Sequence, residues 1–245
     1  MYNKKPKMIL FDVGGTLFND GKCIAEKGFS ALLSVAENPE ITNEKELAFY
    51  WDEYLSEVSG DLKTRENQHL ETPLCAIIKY ATMNAGLHID LPMSEQEELF
   101  DRFNSTRGVL DGAPELFKTL EELNIRYAII SNNAMSGEGL ALSIKRWLPS
   151  INPEFCLTSA DVLFTKPYEK IFFTASKYAH LNPEECWYCG DGRIPDVDGA
   201  KNAGMVPVLI DEKSEIPLEF RTDGGRGEYM TVNNWNVLKE YLKKI

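Results

Sequence analysis

The sequence predicts an α/β fold in which a parallel sheet carries helices on both faces and a second, helical domain is inserted near its start. Two observations support this prediction. Short apolar runs alternate with longer segments of helical period, which is the rhythm of strand–helix–strand units. The first apolar run ends at Val13 and the second begins at Arg126, a separation far beyond the ~12–15 residues of a long ordinary loop.

The elements of the core follow from these runs in chain order. The predicted strands are short apolar stretches bounded by turn residues, at residues 8–13, 126–131, 155–158, 186–190, 206–210 and 229–232. The predicted helices carry apolar residues at helical spacing, at residues 113–123, 137–148, 168–179 and 196–203, with a last helix running through Tyr241. Pro114 fits the first turn of its helix, where the missing backbone N–H costs nothing.

The long segment between the first two strands has a helical pattern of its own. Apolar residues recur at helical spacing over residues 25–36, 44–58, 73–85 and 95–103. We therefore predict a core domain formed by residues 1–18 and 109–245, and a helical domain formed by residues 19–108.

Composition and charge exclude several classes of protein. The 245 residues carry a formal net charge of −12, which argues against a nucleic-acid surface, since phosphate backbones attract clustered Lys and Arg. No apolar run approaches the ~18 residues that span a bilayer, and Asp12 interrupts the apolar stretch after the N-terminal lysines. We expect a cytoplasmic protein that binds neither nucleic acid nor membrane, and the sequence leaves its oligomeric state open.

The five cysteines predict reduced thiols, because they are scattered through an acidic chain and odd in number. Cys186 and Cys189 have the C-x-x-C spacing of a redox pair or of half a zinc site. They lie in a predicted strand, however, which would place their side chains on opposite faces, and no second ligand pair follows. We predict two buried, unreactive thiols.

Four short motifs place chemically active side chains at strand ends or in loops. The motifs are Asp12 before Gly14-Gly15, Ser131-Asn132 at the end of the second strand, Lys166 before Pro167, and Asp191 with Asp196. Ligands of open α/β sheets gather outside the carboxyl ends of the strands, where Asp12 and Ser131 are expected. Each motif has a structural alternative: Asp12 as a turn residue, Ser131-Asn132 as ordinary turn chemistry, Lys166 in a surface loop, and Asp196 as a helix N-cap.

Together these motifs resemble the signature of the haloacid dehalogenase-like (HAD) superfamily, most of whose members are Mg²⁺-dependent phosphatases. The resemblance implies a Rossmann-like, doubly wound parallel sheet core with an inserted α-helical cap domain. It also implies that Asp12 is the nucleophile, which would form an aspartyl-phosphate with a small phosphorylated metabolite. The other implied roles are Lys166 as catalytic cation and phosphate ligand, Ser131 and Asn132 as phosphate ligands, and Mg²⁺ held by Asp12, the Gly14 carbonyl, Asp191 and Asp196.

One position departs from the family's phosphatase pattern. The usual second aspartate, which protonates the leaving oxygen and then activates water, is Gly14 in this chain. Such general acid–base assistance is worth about 10²–10⁴ in rate. One interpretation is a phosphatase that acts on good leaving groups. In another, the cap supplies the acid, for which the candidates are Glu66, His69 and His88.

Three further interpretations of Gly14 stay open. A phosphonate hydrolase would need an imine-forming lysine, for which Lys22, Lys27, Lys45 and Lys63 are available. A haloacid dehalogenase needs no metal, and the retained Asp191 and Asp196 argue against it. A non-enzymatic relative would bind a phosphorylated ligand or a partner protein. Because Asp12, Lys166 and the two later aspartates are all present, the sequence favours a phosphatase.

Overall fold

The structure is a computed structural model, which describes residues 2–19, 21–66, 70–104, 108–222 and 227–245. The described residues form one seven-stranded sheet in the order β3-β2-β1-β4-β5-β7-β6. Its strands are β1 Met8–Phe11, β2 Arg126–Ser131, β3 Cys156–Thr158, β4 Cys186–Gly190, β5 Val206–Ile210, β6 Leu218–Thr222 and β7 Glu228–Val232. All adjacent pairs are parallel except β6 with β7.

Strand β1 lies inside the sheet, between β2 and β4, and both of its faces are apolar and covered. Ile9 and Phe11 pack into one hydrophobic cluster, Met8 and Leu10 pack into a second cluster on the opposite face, and all four are 0% exposed. A strand buried on both faces reads as a continuous apolar run, as predicted here. The predicted strand extended to Val13, but the observed strand ends at Phe11, and a turn in which Leu17 and Phe18 donate to the Val13 carbonyl follows Asp12.

Helices cover both faces of the sheet. The helices after the insert are α5 Ala113–Glu122, α6 Gly137–Trp147, α7 Ser159–Val162, α8 Glu169–Tyr178, α9 Gly199–Asn202 and α10 Trp235–Lys244. Side chains of α5, α6 and α10 pack with the Phe11 cluster, whereas those of α8 and α9 pack with the Leu10 cluster. The predicted α/β architecture is therefore confirmed.

Three core elements differ from the prediction, and the first is the short helix α7, which was not predicted. The edge strand β6 was not predicted, because its charged Glu219 and Arg221 break the apolar run by which buried strands were recognised. The helix predicted at 196–203 is instead a π-helical turn, Arg193–Asp198, followed by the short α9. The turn widens because the Val197 amide donates to the carbonyl of Gly192, five residues earlier.

The insert is helical, as predicted. Its helices are α1 Ala25–Leu33, α2 Glu44–Glu66, α3 Leu74–Ala85 and α4 Met93–Asn104. Phe29, Trp51 and Phe100 pack together between α1, α2 and α4, with the Trp51 and Phe100 rings stacked at 5.2 Å between centroids. Helix α4 also packs on core helix α6. The domain boundaries near residues 19 and 108 stay a prediction, although the Asn19 amide donates to the Gly108 carbonyl at 3.0 Å.

Cys186 and Cys189 are free, buried thiols on opposite faces of β4, as predicted. Cys186 packs in the Leu10 cluster and Cys189 in the Phe11 cluster. Burial raises the pKa of the Cys186 thiol to about 11 and that of Cys189 well above its usual value. A redox pair needs a depressed thiol pKa, so this pair serves packing. Within the described residues, no helix has the length and apolar character needed to cross a bilayer.

Candidate active site

The candidate site lies at the carboxyl ends of three adjacent strands. Asp12 follows β1, Ser131 ends β2, and Asp191 follows β4. Since β1 pairs in parallel with both of its neighbours, these ends meet at one edge of the sheet. This is the edge where open α/β sheets bind ligands.

A buried lysine joins two of the predicted carboxylates. The Lys166 ammonium lies 3.0 Å from Asp12 Oδ2 and 2.6 Å from Asp196 Oδ1. The side chains of Lys166 and Asp196 are each 1% exposed, and that of Asp12 is 13% exposed. Lys166 therefore does not lie in a surface loop, which was the structural alternative for the Lys-Pro motif. Buried charges of this kind persist only when they are paired.

Tyr188 completes this cluster and was missed by the sequence analysis. Its hydroxyl accepts from Lys166 Nζ at 2.7 Å and lies within hydrogen-bond distance of Asp196 Oδ1, at 3.2 Å, and of the Ile130 carbonyl, at 2.9 Å. Burial, together with the nearby carboxylates of Asp196 and Asp12, raises the pKa of the Tyr188 phenol well above its usual value. The neutral hydroxyl thus gives the Lys166 ammonium a buried hydrogen-bond acceptor.

Asp196 is held by the cluster rather than by a helix end. Its Oδ2 accepts from the Gly192 amide at 2.7 Å, while Oδ1 accepts from Lys166. The alternative role as an N-cap is therefore wrong. A Cβ at Gly190 would lie 2.3 Å from Asp196 Cγ, so only glycine lets this carboxylate approach the strand end.

Asp191 is exposed, and its carboxylate contacts the loop that follows Asp12. The hydroxyl of Thr16 donates to Asp191 Oδ1 at 3.2 Å. Gly15 has φ +65°, and a Cβ there would lie 2.3 Å from Asp191 Oδ2, so both the turn and the close approach require glycine. The carbonyl of Thr16 in turn accepts from the indole of buried Trp235 at 2.9 Å.

Asp12, Asp191 and Asp196 each place a carboxylate oxygen within 4.8 Å of the others. Burial and the nearby Asp196 carboxylate raise the pKa of Asp12 to about 6, against the opposing effect of Lys166. Burial opposes the charge on Lys166, yet Asp12 and Asp196 outweigh it and raise the pKa of the ammonium. Three carboxylates with one lysine leave an excess of negative charge. Hard oxygen donors in such a group suit a divalent cation.

In the loop after β2, the Asn132 side chain bonds to the backbone of Lys166. Asn132 Oδ1 accepts from the Lys166 amide at 2.6 Å, and Asn132 Nδ2 donates to the Lys166 carbonyl at 3.1 Å. Ser131 is 2% exposed and pairs with Thr158 of β3. These contacts use Oδ1 and one of the two N–H groups of Nδ2, so a phosphate contact from Asn132 would come from its backbone amide or from the second Nδ2 hydrogen.

Gly14 contributes no side chain to this cluster. Of the three cap candidates for the missing acid, the structure describes the side chain of His88 alone. His69 and the side chains of Glu66 and Lys63 lie outside the described residues. His88 is exposed, in a loop where its amide donates to Asn38. The other lysine candidates for imine chemistry are all exposed: Lys22, Lys27 and Lys45.

Comparison with known proteins agrees with this geometry. The chain matches the family model of haloacid dehalogenase-like hydrolases over residues 9–210. The chain belongs to this family. The glyceraldehyde 3-phosphate phosphatase of Methanopyrus kandleri is 26% identical over 224 residues, which cover 89% of each chain.

Solved structures of two HAD proteins share the fold along nearly the whole chain. A 2-haloacid dehalogenase from Pseudomonas syringae superposes with a TM-score of 0.59 at 19% identity, over 98% of this chain and 99% of its own. A HAD phosphatase from Thermococcus onnurineus superposes with a TM-score of 0.54 at 20% identity, over 98% of each chain. The Rossmann-like core with a helical cap is thus confirmed, and this HAD protein is a hydrolase.

Proposed function

We propose that this HAD protein is a Mg²⁺-dependent phosphatase that cleaves a small phosphorylated metabolite through a covalent intermediate on Asp12. The observation that carries the proposal is the buried Lys166 ammonium between Asp12 and Asp196, with Asp191 in reach of both carboxylates. A nucleophile, a neutralising cation and a set of hard oxygen ligands therefore meet at one strand edge.

The residues present fit Mg²⁺. Asp12, Asp191 and Asp196 would hold the ion, together with the backbone carbonyl of Gly14 in the same loop as Asp12. When bound, Mg²⁺ would offset the repulsion between the anionic nucleophile and the anionic phosphoryl group. The exposure of Asp191 leaves an open approach to this side of the site.

The chain's own groups account for the first chemical step. An Asp12 carboxylate oxygen attacks phosphorus, forming an O–P bond while the bond to the leaving oxygen breaks and its electron pair leaves with that oxygen. Lys166 is fixed on Asp12 and balances the charge of the transferring group. The Ser131 hydroxyl and the backbone of the following turn hold phosphoryl oxygens. Water then attacks phosphorus, the O–P bond to Asp12 breaks with its electron pair returning to the carboxylate, and the water proton leaves with inorganic phosphate.

Gly14 limits the leaving groups that this site can release. Without an acid at that position, the leaving oxygen departs unprotonated, so aryl and acyl phosphates should react better than alkyl phosphates. The absent group would also have served as the base in the second step. Hydrolysis of the aspartyl-phosphate should therefore be the slower step with a good leaving group.

The named relatives support phosphate chemistry. The archaeal relative is a glyceraldehyde 3-phosphate phosphatase, whose named substrate is a small phosphorylated metabolite. The dehalogenase and phosphatase structures share the fold alone and do not separate the two reactions. The buried Asp196 and its neighbours favour phosphatase chemistry, because a dehalogenase does not need a metal site.

A second candidate is a non-catalytic relative that binds a phosphorylated ligand or a partner protein, and Gly14 is the observation that favours it. Hydrolysis of an aryl phosphate by wild type and Asp12→Asn, with and without Mg²⁺, separates the two. Metal-dependent turnover that disappears in the variant supports the phosphatase. An inactive wild type that still binds Mg²⁺ contradicts it and favours the binding role.

The leaving-group argument has its own test in Gly14→Asp. Restoring a carboxylate there should raise turnover of alkyl relative to aryl phosphates by about 10²–10⁴. The ratio of kcat/KM for the two substrates is the measurement. An unchanged ratio would show that another group supplies the proton.

A further inference from the structure

The residues that lead into α3, together with its first residue, are here called the cap strap (residues 70–74) and lie on two loops of the core. Its backbone makes the contacts: the Glu71 amide donates to the Leu163 carbonyl at 3.1 Å, and the Leu74 amide donates to the Ala134 carbonyl at 2.7 Å. The Ala134 loop follows β2 and carries Asn132, whereas the Leu163 loop leads to Lys166. The cap strap thus bridges the two loops that the proposed function assigns to phosphate binding.

The Glu71 side chain extends this contact inward. Its Oε2 accepts from the Ser159 hydroxyl at 2.6 Å, and its Oε1 accepts from the Thr72 amide at 2.8 Å. The Ser159 oxygen accepts in turn from the Asn133 amide at 2.9 Å. A hydroxyl has one proton to donate, and Glu71 at 2.6 Å is a much closer acceptor for it than the Asn133 carbonyl at 3.3 Å. Each group therefore donates to the next: the Asn133 amide to the Ser159 hydroxyl, and that hydroxyl to the Glu71 carboxylate.

This linked set fixes the peptide that follows Asn132. Ser159 is 0% exposed, so the oxygen that accepts from the Asn133 amide is closed to water and holds this amide in one direction. A carboxylate at the far end strengthens the link, because charge-assisted hydrogen bonds are about twice as strong as neutral ones. The peptide held in this way lies directly beside the Ser131-Asn132 turn.

We propose that Glu71 is a positioning residue, a cap carboxylate that acts through Ser159 to set the phosphate-binding turn at residues 131–133. The inference rests on the proposed function, since it gives that turn the task of holding phosphoryl oxygens. Under this proposal, packing of the cap on the core also orders the turn that binds phosphate. The cap is then part of the phosphate site as well as its cover.

Glu71 is not needed to keep the cap on the core, which makes its local role testable. Helix α4 fastens the cap to α6 through three other side-chain contacts: Glu97 with Ser136, Glu98 with Arg146, and Asp101 with Ser143. Removal of the Glu71 carboxylate should therefore leave the cap seated. Its effect should fall on the turn beside Asn132.

The experiment measures the Kd of inorganic phosphate by calorimetry in the presence of Mg²⁺, together with the thermal midpoint of each variant. We expect Glu71→Ala and Ser159→Ala each to raise the Kd about tenfold, in line with the loss of a charge-assisted hydrogen bond. The double variant should be no weaker than either single variant, because both remove the same link. Glu71→Gln retains an acceptor oxygen and should stay within about threefold of wild type.

Glu53→Ala is the matched control, since this cap carboxylate accepts from Tyr80 within the cap at 2.8 Å. It should leave the Kd unchanged. A wild-type Kd in Glu71→Ala, or a Glu71→Gln variant as weak as Glu71→Ala, would overturn the positioning role while leaving the phosphatase intact. A wild-type protein that neither binds phosphate nor hydrolyses aryl phosphate would overturn both proposals.

Discussion

Lys166→Met removes the cation on which the candidate site depends while keeping a side chain of similar length. In the wild type, the ammonium neutralises Asp12 at 3.0 Å and Asp196 at 2.6 Å inside a site where Asp196 is 1% exposed. Removing one partner of a buried ion pair costs about 3–5 kcal/mol, because an uncompensated charge stays buried. Two carboxylates lose their partner here, so we expect the free energy of unfolding to fall by about that amount at pH 7.

The sign of the pH dependence follows from the same charges. Without the lysine, burial and repulsion from Asp196 raise the pKa of Asp12 in the folded state further above its unfolded value. The folded variant then binds more protons than the unfolded chain, so its deficit shrinks as the pH falls from 7 towards 4. The wild type should show a weaker form of this trend, because Lys166 opposes the effect of burial and leaves the pKa of Asp12 at about 6.

Urea unfolding at pH 7 and pH 5, with chelator present, measures both effects. The exposed Lys177 on α8 supplies the control, since Lys177→Met should change stability by less than about 0.5 kcal/mol. A Lys166→Met protein within about 1 kcal/mol of wild type at pH 7 would refute the assignment of a buried ion-pair cluster. So would a deficit that is equal at the two pH values.

Three further predictions concern groups that support the cap and the site. Burial opposes the charge on Glu98, but Arg102 and Arg146 outweigh it and lower the pKa of this carboxyl in the folded state. The charged carboxylate therefore stabilises the fold at pH values above its unfolded pKa, and this stabilisation is lost as the pH falls through the folded pKa. Glu98→Gln should therefore cost about 1–3 kcal/mol at pH 7 and less at pH 3, measured by urea unfolding; equal losses at the two pH values would contradict the ion pair. Trp235→Phe leaves the buried Thr16 carbonyl without its donor and should cost about 1–3 kcal/mol in the same assay, whereas an unchanged midpoint would contradict this. Gly190→Ala forces Asp196 away from the strand end and should lower kcat at least about 10²-fold, with normal turnover as the contrary result.

The core sheet could be predicted because burial and sequence pattern coincide there. Every residue of β1 is apolar and buried, so the pattern alone indicates a central strand. Strand β6 lies at the edge, with half-exposed charged residues, and its place depends on pairing with β7. The widened turn at residues 193–198 depends on the bond from the Val197 amide to the Gly192 carbonyl and on the Asp196 side chain that accepts from the Gly192 amide, which no local propensity encodes.

The candidate site was predicted from motif order, and its supporting groups were not. Tyr188 stands inside an apolar strand and reads as core, yet its hydroxyl contacts Lys166 and Asp196. The usable signal was a hydroxyl near the end of a buried strand, three residues before Asp191. Glu71 gave no signal, because its partner Ser159 is brought to it only by the packing of the cap on the core.

The covalent role of Asp12 is tested most directly by the pre-steady-state time course of phenol release from an aryl phosphate with Mg²⁺ present. Because Gly14 removes the base for the second step, phosphorylation of Asp12 should outrun its hydrolysis. The account predicts a burst of about one phenol per active site before slow turnover, and neither burst nor turnover in Asp12→Asn. Turnover by Asp12→Asn at the wild-type rate would contradict the account.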